Sequence, residues 1–126
     1  MRVLYVDDDP DIRAIAAMAL RLDGEVEART AASAEEALAL LGAGGWRPDV
    51  LLLDVMMPGM TGPELHAAIC ADPAIDAPAV VFVTARARDV DVRAYHASGV
   101  AGVITKPFDP VALCGQIRAM LAAHPR

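Results

Sequence analysis

Five times along the chain, a short run of aliphatic and β-branched residues gives way to a segment with helical spacing. The extended runs are Val3–Val6, Val26–Thr30, Val50–Leu53, Val80–Thr84 and Val103–Thr105. The first, third and fourth are almost continuously apolar, the signature of parallel strands covered on both faces. Between them lie helical stripes: Ile12, Ile15, Ala16 and Ala19, then Ala34, Ala37, Leu38 and Leu41, then Leu65, Ala68 and Ile69. Val90 to Ala97 and Val111 to Leu121 supply the last two. Strand followed by helix, repeated five times, predicts an α/β fold with a doubly wound parallel sheet.

Local punctuation agrees. Asp9 before Pro10 and Asp109 before Pro110 both read as helix N-caps followed by proline at the first helical position. Ser33 with Glu36 fits a capping box. Gly24, Gly42 and Gly99 follow helical stripes, where a left-handed cap belongs. The 126 residues amount to one domain, 1–126, with no linker and no room for an effector domain.

Composition removes several function classes. A net charge of −6 argues against binding a phosphate backbone, so no nucleic-acid partner is expected. No run approaches the length of a membrane span, and the N-terminus does not read as a signal peptide. Cys70 and Cys114 lack metal spacing and read as ordinary buried thiols of a cytoplasmic protein. His66, His96 and His124 read as surface residues, and Met56, Met57 and Met60 as loop and core filler. The distribution of charge is more informative than its sum. Aspartate outnumbers glutamate, and Lys106 is the only lysine beside ten arginines.

Ligands of an open parallel sheet bind beyond the carboxyl ends of its strands. There the sequence places Asp7, Asp8 and Asp9 after strand 1, Asp54 after strand 3, Thr84 after strand 4 and Lys106 after strand 5. Asp9 serves as a cap, which leaves Asp7 and Asp8 without that explanation. Carboxylates gathered this closely repel, so either a pKa rises or a cation joins them, and an all-oxygen set suits Mg²⁺. An acid beside a metal, a hydroxyl and an ammonium is well placed to receive a phosphoryl group. Taken singly, Asp54 reads as a turn residue, Thr84 as a strand former and Lys106 as a counter-ion. Gly59 and Gly62 read as turn glycines, because GxxxxGK[ST] is absent.

Asp7-Asp8, the segment Leu53-Asp54-Val55-Met56-Met57-Pro58-Gly59, Thr84-Ala85 and Lys106-Pro107-Phe108, in that order, resemble the response-regulator receiver domain from Arg2 to about Leu121. The resemblance implies a flavodoxin-like sheet of order 2-1-3-4-5 with five helices, the order described for this family's chemotaxis member. It further implies Asp54 as phosphoacceptor, Thr84 and Lys106 as phosphoryl contacts, and a cis Lys106–Pro107 bond. Mg²⁺ would be held by Asp8, Asp54 and the carbonyl of Met56, with Asp7 acting through water. Met56 and Arg86 would set the lifetime of the phosphoaspartate. The donor would be a phosphohistidine on a sensor histidine kinase or phosphotransfer protein, docking near Asp11, Ile12, Ile15, Pro107 and Phe108. An unidentified downstream protein would read the state, and pairing through helices 4 and 5 is a family option. One departure stands out: the family usually carries Tyr or Phe where this chain has Val103, which puts the usual output switch in doubt. Tyr95 is a possible substitute, although it reads as an ordinary half-buried tyrosine. Two rival readings remain at this point: an interaction module independent of phosphorylation, and a Mg²⁺-dependent phosphohydrolase. The second lacks an insertion large enough to build a substrate pocket.

Overall fold

The computed structural model describes residues 1–124. Its strands are β1 (Arg2–Val6), β2 (Glu27–Ala31), β3 (Val50–Asp54), β4 (Ala79–Thr84) and β5 (Gly102–Thr105). Alternating with them are α1 (Pro10–Arg21), α2 (Ala34–Gly42), α3 (Gly62–Ala71), α4 (Asp89–Ala97) and α5 (Leu113–Ala123). All neighbouring strands pair in parallel, in the order β2-β1-β3-β4-β5.

The two-residue period of a strand divides the core into two layers. Leu4, Val6, Leu51, Leu53 and Phe82 point toward Ala37, Leu65 and Ile69 of α2 and α3. Val3, Tyr5, Leu52, Val81 and Ile104 point toward Ala16, Leu20, Leu113 and Ile117 of α1 and α5. β3 is buried at every position, because both layers close over it. β2, at the sheet edge, alternates between exposed and covered residues.

Asp9 caps α1, its carboxylate accepting from the backbone N–H groups of Asp11 and Ile12. Ser33 caps α2 through the N–H of Glu36, and Thr61 forms a full capping box with Glu64 at the start of α3. Other local expectations require correction. Asp109 does not cap α5: its carboxylate accepts from Val111 and its carbonyl from Ala112, closing a turn. The helix begins only at Leu113, where Leu113, Cys114 and Ile117 meet the core. Gly99 has the expected positive φ, but Gly24 and Gly42 do not. α2 runs through Gly42, and Gly44 makes the left-handed turn instead. α4 buries none of its residues, leaving Val90 59% exposed, and the ring of Tyr95 packs on Phe82. Cys70 is exposed, whereas Cys114 is buried with its thiol toward the carbonyls of Ala19 and Leu20. His66 lies inside, edge-on to Phe82, and burial lowers its pKa.

Candidate functional site

The ends of β1, β3, β4 and β5 lie at one edge of the sheet, and the backbone carries their side chains together. Ladder bonding continues one residue past the strands. The N–H of Asp7 donates to Ala31 at 3.1 Å, and that of Lys106 to Thr84 at 2.8 Å. Asp54 is opposite Val83 in register, and Thr84 opposite Thr105. The acids of β1 and β3 therefore face the hydroxyl of β4 and the ammonium that follows β5.

Lys106 joins the set. Its Nζ donates to Asp7 Oδ2 at 2.8 Å and to Asp54 Oδ1 at 3.1 Å. Asp7, Asp54 and Thr84 are buried, while Asp8 is exposed. One oxygen from each of Asp7, Asp8 and Asp54 falls within 4.8 Å of the others, so the three can share one metal ion. Thr84 Oγ1 accepts from the N–H of Arg86 at 3.0 Å, which keeps its own hydrogen available to donate. A cavity of about 370 Å³ opens beside Asp54, lined also by Met56, Thr84, Arg86, Arg88 and Lys106. The Lys106–Pro107 bond is cis. Pro107 and Phe108 border an adjoining apolar groove of about 500 Å³ with Ile12 and Ile15.

One ammonium serves two buried carboxylates, and they divide its influence unequally. Burial raises the pKa of Asp54, Lys106 opposes the rise, and the charge of Asp7 adds to it, so that Asp54 reaches about 6. Burial acts on Asp7 in the same sense. There, hydrogen bonds from Lys106, the N–H of Asp9 and Tyr5 outweigh it, leaving Asp7 below the ordinary carboxylate range. Lys106 itself is raised: burial disfavours its charge, but Asp7 and Asp54 more than compensate.

Three residues beneath the site were not identified from the sequence as part of it. Tyr5 donates its hydroxyl to Asp7 Oδ2 at 2.9 Å, and burial together with the charge of Asp7 holds its pKa far above the tyrosine range. Arg13 Nη1 donates to the carbonyl of Asp7 at 2.8 Å. Gly62 passes so close to β3 that a Cβ there would lie 2.5 Å from the carbonyl oxygen of Asp54. Only Tyr5 left a trace in the sequence, as a polar-tipped ring two residues before Asp7 and hence on the same strand face. Val103 is half-buried beside Phe82 in register, at the rim of a groove between α4 and α5. Tyr95 is half-buried, as expected.

Comparison with known proteins agrees with this geometry. The family profile described as the response regulator receiver domain matches residues 3–118. The DNA-binding response regulator MtrA of Mycolicibacterium smegmatis is 36% identical over 120 residues, 95% of this chain and 50% of that protein. The transcriptional regulatory protein YvrH of Bacillus subtilis is 40% identical over 119 residues, 94% of this chain and 48% of that one. The chain thus spans about half the length of the curated relatives it matches. Among solved structures, the Vibrio cholerae chemotaxis protein CheY4 superposes with a TM-score of 0.82 at 33% identity, covering 94% of this chain and 97% of that one. With matching strand order, an acid cluster at the strand ends and a profile running from β1 into α5, the chain belongs to the receiver domains of two-component response regulators.

Proposed function

We propose that Asp54 is the phosphoacceptor of this receiver and that the phosphoryl group comes from a phosphohistidine on a sensor histidine kinase or phosphotransfer protein. The observation carrying this reading is Lys106 Nζ held between Asp7 and Asp54, with three carboxylate oxygens gathered at one point. An oxygen of Asp54 attacks phosphorus. The P–O bond forms as the P–N bond breaks, and its electron pair returns to the donor imidazole. Lys106 follows the charge onto a phosphoryl oxygen, and the Thr84 hydroxyl donates to another. The all-oxygen donor set fits Mg²⁺. Asp8 and Asp54, with the Met56 carbonyl, are assigned as its direct holders and Asp7 as its water-mediated one. When bound, the ion supplies positive charge that screens the incoming phosphoryl oxygens from the acids.

The domain reading is a single receiver over 1–126, with Met56 and Arg86 at the cavity mouth setting how readily water reaches the phosphoaspartate. The DNA binding named for MtrA is a property of that longer protein. For this chain, a net charge of −6 favours a protein partner for the receiver surface. Val103 favours a second reading, an interaction module that ignores phosphorylation, since valine lacks an aromatic ring to report the site's state.

Incubation with Mg²⁺ and acetyl phosphate, followed by intact-mass analysis, separates the two. The expected result is a gain of one phosphoryl group in the wild type and none in Asp54→Asn. No gain in either leaves the interaction module standing. A gain in both moves the acceptor away from Asp54.

A further inference from the structure

We propose that Tyr5 is a positioning residue for the cation site, acting through Asp7; this rests on the reading that Asp7, Asp8 and Asp54 hold Mg²⁺. Tyr5 is fully buried on β1, in the core layer it shares with the aliphatic side chains of Val3, Leu52 and Val81. Packing alone at such a position is met by hydrocarbon, and a buried phenol needs a partner. Its partner is the acid itself, Asp7 Oδ2 at 2.9 Å. Lys106 Nζ reaches the same oxygen at 2.8 Å, while Oδ1 accepts from the N–H of Asp9 at 3.0 Å. Donors from β1, from the loop before α1 and from the residue after β5 thus fix the carboxylate plane.

With Asp7 at 0% exposure, no solvent stands ready to replace a lost hydroxyl. Without it, Oδ2 keeps only Lys106, which Asp54 also holds at 3.1 Å. Loosening Asp7 therefore reaches Asp54 as well. Hydrogen-bond partners of metal-site carboxylates commonly contribute a factor of about 10 or more to metal affinity, because they set the orientation of the donor. The Tyr5 ring is also held by an edge contact to Phe108 at 6.3 Å between centroids. Removing the oxygen alone leaves that packing intact.

Calorimetric titration with MgCl₂ tests the assignment on wild type, Tyr5→Phe, Asp7→Asn and the double variant. Tyr5→Phe is expected to weaken Mg²⁺ about tenfold, and to add less than about twofold once Asp7 is already Asn, because the hydroxyl acts through that side chain. Equal affinity in wild type and Tyr5→Phe overturns the inference and leaves the metal reading in place. So do losses that simply multiply in the double variant. A wild type that does not bind Mg²⁺ overturns both. A second measurement leaves Tyr5 untouched. In Tyr95→Phe, Tyr5 is the sole tyrosine, and its near-ultraviolet absorption should shift as Mg²⁺ draws on Asp7. The absence of a shift counts against the inference.

Discussion

Replacing the Asp54 carboxylate by an amide should stabilise the metal-free fold. Burial and the neighbouring charge of Asp7, only partly opposed by Lys106, raise the pKa of Asp54 from 3.8 to about 6. A folded-state pKa above the unfolded one means that the fold prefers Asp54 protonated. Its stabilising contribution is complete below the unfolded value and is lost as the pH rises through about 6. At about 1.4 kcal/mol for each factor of ten in the proton equilibrium, holding Asp54 ionised costs the fold at most about 3 kcal/mol. Asparagine has nearly the same shape and carries no charge, so Asp54→Asn removes this cost. For a domain of this size, the gain corresponds to a Tm higher by roughly 4–10 °C at about pH 7.5 in EDTA. The two proteins should converge toward about pH 4, where the wild-type carboxyl is already neutral. Adding Mg²⁺ should narrow the gap at neutral pH by stabilising the wild type preferentially. Thermal melts followed by circular dichroism across this pH range provide the assay. A wild type that matches or exceeds the variant at pH 7.5 without metal would refute the electrostatic account.

Two further outcomes follow from the surroundings of the site. Gly62→Ala places a methyl group against the Asp54 carbonyl; denaturant melts should show a loss of about 1–3 kcal/mol, with acetyl-phosphate labelling also reduced because the strain falls on the backbone of Asp54. Hydrogen exchange should find α4 among the least protected helices, since it buries no residue, and phosphorylation should alter its exchange more than that of α1. Uniform protection across the helices would contradict that ordering.

The layered sheet was legible because β1, β3 and β4 are apolar over almost their whole length, a pattern imposed by burial on both faces. The site followed from the sheet, since the strand ends locate Asp7, Asp54, Thr84 and Lys106 before any contact is known. What the sequence could not reveal depends on neighbours distant in the chain. Nothing local distinguishes Asp9, which caps a helix, from Asp109, which closes a turn; the difference lies in where Leu113 and Ile117 must meet the core. His66 reads as a surface residue until α3 packs on β4 and Phe82 covers the imidazole. Val90 occupies a helical stripe as regular as the others, yet α4 turns Tyr95 toward Phe82 and leaves Val90 in solvent. Gly62 looks like any turn glycine, because its constraint comes from a backbone eight residues earlier.

The solitary lysine connects stability with function. Three ionised carboxylates and one ammonium leave the site with two unbalanced negative charges, the charge that one divalent cation cancels. A second lysine in place of the ion would halve that deficit permanently and lower the pKa of Asp54. It would also take up space in the cavity beside Asp54. Leaving the deficit uncorrected costs stability in the metal-free protein, the cost measured by Asp54→Asn, and keeps an open place for a cation beside a reactive oxygen. Asp7 is the acid held most firmly, by Tyr5, Lys106 and Asp9, and its pKa is lowered. Asp54 shares only part of Lys106, and its pKa is raised. The fixed acid anchors the ammonium while the destabilised one faces the cavity, so the carboxylate open to the cavity is the one with the most to gain from new partners.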